Sequence, residues 1–275
     1  MYPDSMPHRQ KYPIYHWSYS SLLSYLRNPL AWHKRYVEGI RDMPSTPSSV
    51  VGRAGHVALQ HFYGGMGHDA SVALGLEYVR SVSDFEIEFG VAKTKEEMEG
   101  KRLSMEHEYH QAISFYLARP PKYHVLGIEV AALAKVAGLP LPIKAISDLV
   151  VESRGHNGCV DIVDHKFVDS WSALGADKPL FILQAIFNYY TIGSEFKRPV
   201  KRFILQECKK RKNKDGSSQM RKYVIEYDAC ADEFEVFHRL VADASKEILT
   251  RTTYLPNPSD MFDGKNSYEI YRMRL

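Results

Sequence analysis

Two acidic residues and one lysine stand where two neighbouring strands could bring them together. Asp148 lies in the apolar run 146–150, and Asp164 and Lys166 lie near the end of the next apolar run. Because side chains alternate along a strand, Asp164 and Lys166 point to one face while His165 points to the other. An acid and a lysine therefore project together, close to a second acid on the adjacent strand.

The turns between the predicted strands decide which residues face each other. With the second hairpin centred on His156, Asp148 lies opposite Asp164, and opposed residues project from the same face. With the first hairpin centred in the turn 137–140, Glu129 lies opposite Asp148. The three acids would then form a row across three neighbouring strands, beside the lysine. A shift of one residue in either register would destroy this row.

A row of three carboxylates on an apolar sheet requires a physical reason. The charges repel one another and are costly to desolvate, unless the acids share protons or bind a cation. Mg²⁺ and Mn²⁺ bind carboxylate, carbonyl and water oxygens, so the row suits either ion. A bound dication activates water and contacts phosphate oxygens, while the lysine can orient the attacking water. The residues therefore predict phosphodiester hydrolysis, with surface acids beside a lysine as the structural alternative.

The order of these residues resembles the PD-(D/E)XK nuclease superfamily. Its core pattern is matched by Asp148 followed by Asp164-His165-Lys166, and the wider sequence from about residue 17 to 208 is similar to the RecB-like branch. That branch includes AddAB nucleases, CRISPR-associated exonucleases and phage recombination nucleases. The resemblance implies an α/β fold with a restriction-endonuclease-like core and metal-dependent DNA cleavage, expected to be exonucleolytic, in DNA recombination, repair or phage replication. Asp148 and Asp164 would hold the metal, and Lys166 would position the nucleophile.

Four further residues gain a role from this resemblance. His56, in Gly52-Arg53-Ala54-Gly55-His56, resembles the helical metal-binding histidine of the branch, although by itself it would more often bond to a neighbouring residue. As a ligand it would favour Mn²⁺ over Mg²⁺, because imidazole is a softer donor than oxygen. Glu129 resembles the first acid of the branch, and the carbonyl of His165 would assist at the metal. Gln184 resembles the glutamine of the helix after the sheet and would contact the lysine or a DNA phosphate.

The sequence departs from the family pattern at three points, and the family's features at those points are not expected in this chain. Asn188 replaces the tyrosine that the family places four residues after the glutamine, which leaves that role unassigned. Asn28 stands where many relatives have the first cysteine of an iron–sulfur cluster, and no cysteine follows Cys230, so no cluster is expected. The chain has no Walker-type phosphate loop, so a helicase would be a separate polypeptide, as would a single-strand-binding or recombination protein.

Basic residues are concentrated between positions 197 and 222. Eleven Lys and Arg residues and two acids lie there, a local charge of +9, whereas the rest of the chain carries −6. Such a segment suits contact with a polyanion and would make DNA binding salt-dependent and independent of sequence. A solvated charged hairpin is the alternative. The predicted DNA contacts are Lys209, Lys210, Arg211, Lys212, Lys214, Arg221 and Lys222.

Apolar periodicity and turn residues predict a central mixed sheet flanked by helices. Ser18 is the predicted N-cap of the first helix, and Pro29 interrupts it or opens a second. Further helices are predicted near Val51, over 70–89, 105–117 and 180–196 after Pro179, and through 234–248. Strands are predicted over 123–136, 142–152, 158–168, 200–208 and 221–227.

Length and composition allow one elaborated domain. The chain has 275 residues, of which 44% are hydrophobic and 25% charged, a balance that excludes a disordered or fibrous protein. No linker is evident, so we expect a single nuclease domain over 1–275, with a helical region (1–120), a catalytic sheet (121–228) and a C-terminal helix and tail (229–275). Without a signal peptide or an apolar run of about 20 residues, a cytoplasmic location in a bacterium or phage-infected cell is expected, and no membrane partner.

Two other classes of function remain open at this point. A nuclease-like fold could bind DNA without turning it over. Alternatively, the acid row could form salt bridges with the basic hairpin of an interaction protein. Cleavage and metal titration separate both from an active nuclease, because only the nuclease needs a bound dication and a catalytic lysine.

Overall fold

The computed structural model describes residues 11–40, 44–172 and 174–257, and of residues 174–180 it describes the backbone alone. Within these ranges a six-stranded mixed sheet is flanked by helices. The elements follow in the order β1 (Trp17–Ser18), α1 (Tyr19–Arg27), α2 (Pro29–Trp32), α3 (Pro47–Tyr63), α4 (His68–Ser81), α5 (Lys95–Ala118), β2 (Val125–Ala134), β3 (Ile143–Glu152), β4 (Val160–Val168), α6 (Leu174–Phe196), β5 (Val200–Lys209), β6 (Met220–Glu226) and α7 (Ala231–Thr250). None of the helices in the described ranges is long and apolar enough to cross a bilayer.

Capping residues set where the N-terminal helices begin. The side chain of Ser18 accepts a hydrogen bond from the first turn of α1, as predicted, and Asn28 caps α2, with Pro29 in its first turn. Helix α3 begins directly after its N-cap Thr46, earlier than the predicted start near Val51. A polar cap therefore moves the start of α3 ahead of its first apolar residues.

Three other helix boundaries differ from the prediction. Helix α4 ends at Ser81, because Val82 is already extended, so the predicted helix to 89 is too long. Helix α5 begins after the N-cap Thr94, and its first turns are too polar to show a periodic pattern. Helix α6 begins at Leu174, ahead of the predicted start after Pro179, so this proline lies inside the helix.

Strand β3 is the centre of the catalytic part of the sheet. It pairs antiparallel with β2 along one edge, and along the other with β1 in parallel and then with β4 in antiparallel orientation. Strands β4 and β5 are parallel, and β6 closes the sheet as an antiparallel hairpin with β5. Helix α6 supplies the crossover that a parallel pair needs.

Both predicted hairpin registers are confirmed. In the β2–β3 ladder, the flanking pairs place Glu129 opposite Asp148. In the β3–β4 ladder, the last pair joins Leu149 to Val163, so Asp148 and Asp164 come directly after it. The acids thus lie at the point where β3 and β4 stop pairing.

Apolar side chains fill both faces of the sheet. On one face, Val150, Ile162 and Leu205 pack with Ala185 and Ile192 of α6. On the other face, residues of β3, β4 and β5 pack with Tyr63 of α3. Elements on opposite faces can therefore both reach the end of the β3–β4 ladder.

Candidate active site

The predicted acids meet a histidine at the end of the β3–β4 ladder. Nδ1 of His56 lies 3.3 Å from Oδ2 of Asp148. Ligand atoms of His56, Glu129 and Asp148 all lie within 4.8 Å of one another, and the three residues are partly buried. Two carboxylates from the sheet and an imidazole from α3 therefore converge, an arrangement that a divalent cation could bridge.

Close packing of α3 on β4 brings His56 to the acids. A Cβ atom on Gly55 would overlap the ring of Phe167, so a glycine is needed for this approach. Gly52 has nothing near its Cα that a methyl group would meet. Of the two glycines in the motif, Gly55 therefore sets the distance between helix and sheet.

Substituting Gly55 tests this packing. Gly55→Ala should destabilise the protein by about 1–3 kcal/mol, because the added methyl group forces the helix away from Phe167. The matched variant Gly52→Ala should be neutral or slightly stabilising, since alanine favours a helix over glycine. Urea unfolding followed by circular dichroism measures both, and equal stability of the two variants would contradict the close approach.

Asp164 is held through both carboxylate oxygens. Nζ of Lys166 lies 2.8 Å from Oδ2, and Nε2 of Gln184 donates to Oδ1 at 2.7 Å. Although the Lys166 ion pair is close, Oδ2 is buried and accepts no hydrogen bond of good geometry within the described residues. Within the described residues, the Lys166 amine is thus the positive group against Oδ2, and Gln184 satisfies Oδ1.

The resemblance implied that Gln184 contacts the lysine or a phosphate, whereas here it bonds to Asp164. Its helix is tied to the sheet by Asn188, the residue that departs from the family pattern. The side chain of Asn188 donates to the Gln184 carbonyl at 2.9 Å and accepts from Ser147 at 2.5 Å. Asn188 therefore links the glutamine to the strand that carries Asp148.

Asp148 and His56 stabilise each other's charged forms. Burial alone would raise the pKa of Asp148, but the charge of His56 and hydrogen bonds from His56 and His165 lower it below its usual range. Burial of His56 would lower its pKa, yet the charge of Asp148 raises it. Asp148 is therefore a carboxylate that stays ionised.

Burial and neighbouring negative charge raise the pKa values of Glu129 and Asp164. Burial raises the pKa of Glu129, and the charge of Asp148 adds to the effect. Burial likewise raises the pKa of Asp164 although Lys166 opposes this. Burial lowers the pKa of Lys166, but the charges of Asp164 and Asp148 outweigh it, so the amine stays protonated. Two of the three carboxyls are thus costly to ionise, and a cation would relieve that cost.

His165 contacts Asp148 through its backbone and also through its ring, whose Nδ1 lies 3.6 Å from Oδ2 of Asp148. Its backbone N–H donates to Oδ2 of Asp148 at 2.7 Å. Its imidazole is buried, with Nε2 2.8 Å from the hydroxyl of Tyr116 and the ring stacked on Tyr63. The predicted metal contact through the His165 carbonyl stays a prediction. The contact of Tyr116 with His165 could not be predicted from the sequence, because no local pattern marks a contact between α5 and β4.

Glu129 adopts an uncommon backbone conformation. Its φ is +48°, although it lies within β2 and the register on either side of it is regular. Non-glycine residues in this region carry strain that the surroundings must offset, and such strain concentrates at functional sites. The backbone therefore indicates that the position of this carboxylate is held by the fold around it.

Two variants of Glu129 separate backbone strain from the loss of charge. Both Glu129→Gly and Glu129→Ala remove the carboxylate, but only glycine accepts a positive φ without cost. Glu129→Gly should therefore be more stable than Glu129→Ala by about 1 kcal/mol. Urea unfolding in EDTA measures the difference, and a more stable alanine variant would show that φ is unstrained.

The fold divides the predicted DNA-contact residues. Lys210 is fully buried, with Nζ 2.9 Å from Asp169 and donating to Ser48, so the structure contradicts its predicted contact with DNA. A charged group this deep needs its partners and cannot reach a phosphate. Arg211 is exposed but forms an ion pair with Glu108. The partly or fully exposed cations are Lys209, Lys212, Lys214, Arg221 and Lys222.

Two solved structures are similar to this chain at low sequence identity. The crystal structure of SSO0001 is similar with 15% identity and a TM-score of 0.33, over 86% of each chain. An alkaline exonuclease (LHK-Exo) from Laribacter hongkongensis is similar with 16% identity and a TM-score of 0.32, over 74% of this chain and 89% of that one. The search of curated proteins finds no match.

A family comparison covers most of the sequence. The model of the PD-(D/E)XK nuclease superfamily matches residues 16–261. This span includes every strand and helix described above, and the mixed sheet flanked by helices agrees with the restriction-endonuclease-like α/β fold. The chain therefore belongs to the PD-(D/E)XK nuclease superfamily.

Proposed function

We propose that this protein is a divalent-metal-dependent deoxyribonuclease of the RecB-like branch, acting as an exonuclease within a single nuclease domain. The observation that carries the proposal is the convergence of His56, Glu129 and Asp148 within 4.8 Å, beside the Asp164–Lys166 ion pair. Membership of a nuclease superfamily and the order of these residues in the chain support it. The sequence resemblance to the RecB-like branch supports the finer assignment.

The residues present fit a hard divalent cation. The donors are carboxylate oxygens and one imidazole, a set that suits Mn²⁺ or Mg²⁺ and, through His56, favours Mn²⁺. The raised pKa values of Glu129 and Asp164 indicate a shortage of positive charge at the site. When bound, such an ion would lower the pKa of a water molecule and polarise the phosphate.

The side chains of the site have distinct tasks in this proposal. Lys166 offers a protonated amine beside Asp164, where it can orient a water molecule and offset charge that develops on the phosphate. Gln184 fixes the carboxylate of Asp164 from the side of α6. The backbone N–H of His165 fixes Asp148. These hydrogen bonds hold the charged groups in place before substrate arrives.

DNA would be held through exposed cations of the basic segment. Lys209, Lys212, Lys214, Arg221 and Lys222 can neutralise phosphates, which would make binding fall steeply with salt. Within the described residues, the catalytic acids pair with His56 and Lys166 rather than with this segment, which disfavours a purely structural acid row. The resemblance to the RecB-like branch supports a role in recombination, repair or phage replication beside a separate helicase, single-strand-binding or recombination protein.

Digestion of two DNA topologies tests the proposal. End-labelled linear DNA and closed circular DNA are incubated with Mn²⁺ and either the parent protein or Asp164→Ala. An exonuclease degrades the linear form and leaves the circle intact, and the variant degrades neither. Cleavage of the circle would show endonuclease action. Equal activity of Asp164→Ala would remove the proposed mechanism.

A further inference from the structure

A tryptophan flanked by cations lies just beyond the catalytic lysine in the chain. Trp171 is partly exposed, in the segment that follows β4. The guanidinium of Arg221 lies 4.9 Å from the centre of its ring, and Nζ of Lys209 lies 5.6 Å from it. The other two tryptophans of the chain, Trp17 and Trp32, are completely buried. Trp171 is therefore the tryptophan that a ligand could touch.

The sheet places this group on the same face as the active site. Lys166 pairs with Glu207, and Glu207 pairs with Arg221 on the next strand. Paired residues project from the same face, and neighbouring strands are about 4.8 Å apart, so the backbones of Lys166 and Arg221 are separated by about 10 Å. Arg221 therefore lies within reach of a nucleic-acid strand that is cleaved beside Lys166.

Hydrogen bonds hold the group in position. The backbone N–H of Ser172 donates to the carboxylate of Glu207 at 3.3 Å, as does its hydroxyl group, and Glu207 is fully buried. The guanidinium of Arg221 donates to the hydroxyl of Tyr223 at 3.0 Å. Because the segment carrying Trp171 is anchored to β5, the aromatic ring and its cations are arranged before a ligand binds, which reduces the entropy lost on binding.

An aromatic ring beside cations differs in its preference from cations alone. Lysine and arginine attract any polyanion, whether duplex or single strand. An aromatic ring or a guanidinium plane stacks on a nucleobase, and a base is free to stack when the strand is unpaired. Stacking is tolerant of sequence, because every base has a π-face. The combination therefore selects single-stranded nucleic acid without reading its sequence.

We propose that Trp171, Arg221 and Lys209 form a stacking site for single-stranded DNA next to the active site. One nucleobase stacks against the Trp171–Arg221 layer, and Lys209 contacts an adjacent phosphate. The inference rests on the proposed function only in naming this strand as the substrate. In an active nuclease, the site would hold the unpaired strand that contains the scissile phosphate.

Binding in EDTA, where no cleavage occurs, tests the stacking site. A short oligothymidine is compared with an abasic strand of the same length and charge by fluorescence anisotropy. The expected result is about tenfold tighter binding of the oligothymidine, together with quenching of tryptophan fluorescence by that strand alone. Equal binding of the two strands by the parent protein overturns the proposal without any variant.

Substitution of Trp171 assigns the effect to this ring. Trp171→Ala should bind oligothymidine as weakly as the abasic strand, with its affinity for the abasic strand unchanged. Phe85→Ala, which removes an aromatic ring that is 97% exposed between α4 and α5, should leave both affinities unchanged. A Trp171→Ala variant that keeps the full preference for bases overturns the assignment. Circular dichroism confirms that each variant is folded.

A separate assay keeps this inference distinct from the nuclease proposal. Cleavage of linear DNA is measured with Mn²⁺ on the same protein preparation. Base-dependent binding without cleavage would leave the stacking site in place and remove the nuclease proposal. Cleavage without base-dependent binding would remove the stacking site and leave the nuclease proposal in place.

Discussion

Replacing Lys166 by methionine should reduce the rate of DNA cleavage by about 1,000-fold while leaving metal binding in place. The amine lies 2.8 Å from Asp164 and stays protonated because Asp164 and Asp148 raise its pKa. It is thus a positive side chain beside the acids, placed to offset charge that would develop on a phosphate in the proposed reaction. Methionine keeps most of the volume and removes only the charge and the donors.

Single-turnover cleavage of linear DNA at saturating Mn²⁺ measures the loss. Lys246→Met is the matched control, because Lys246 is exposed on α7 and belongs neither to the metal cluster nor to the proposed DNA contacts, and it should keep about the parent rate. A Lys166→Met variant that retains a tenth of the parent rate would show that another group positions the nucleophile.

Asp148→Asn should abolish the stabilisation of the protein by Mn²⁺. Asp148 contacts His56 and lies within 4.8 Å of Glu129, so its carboxylate is central to the donor set. A ligand at a hundred times its dissociation constant stabilises the folded state by about 2.7 kcal/mol, and an amide in place of the central carboxylate should remove that gain. Cleavage should fall below detection with it.

Thermal unfolding with and without Mn²⁺ measures this effect. The unfolding temperature of each protein with Mn²⁺ is compared with its own value without Mn²⁺, so a lower stability of the metal-free variant does not affect the comparison. The control is Asp228→Asn, an exposed acid bonded to Lys201, which should keep the full Mn²⁺-dependent rise in unfolding temperature. If Asp148→Asn keeps that rise as well, the cluster of His56, Glu129 and Asp148 does not hold the metal.

The same titration decides between the proposed metal centre and a structural acid row. A row that only forms ion pairs should show no stabilisation by micromolar to millimolar Mn²⁺. The structure gives a physical reason for Mn²⁺ binding, since burial raises the pKa of Glu129 and Asp164 while Asp148 stays ionised. Binding a dication would let all three carboxylates ionise together.

The strands and their register could be predicted because they depend on local features. Apolar runs indicated the strands, and turn residues between them set the pairing. Gly138, Gly155 and Gly158 all adopt positive φ in those turns, a conformation that glycine enters at little cost. Once the turns were placed, the alternation of side chains put Asp148 opposite both Glu129 and Asp164.

The helix boundaries were harder to predict than the strands, because the first turns of a helix can be polar and then lack the apolar periodicity that marks the rest of it. The first turns of α5 and of α3 are formed by capping residues and polar side chains that show no apolar period. Propensity and capping decide there, whereas the prediction relied on periodicity. The same limit explains the predicted extension of α4 to residue 89.

Sequence alone determined the acid row, its lysine and the hairpin registers, because each depends on residues close together in the chain. Tertiary structure decided that His56 reaches Asp148, that Lys210 is buried against Asp169, and that Glu129 takes a positive φ. Those outcomes depend on how α3, β4 and β5 pack across long separations in the chain. The free energy of such packing is a property of the whole arrangement, which no local pattern of residue types encodes.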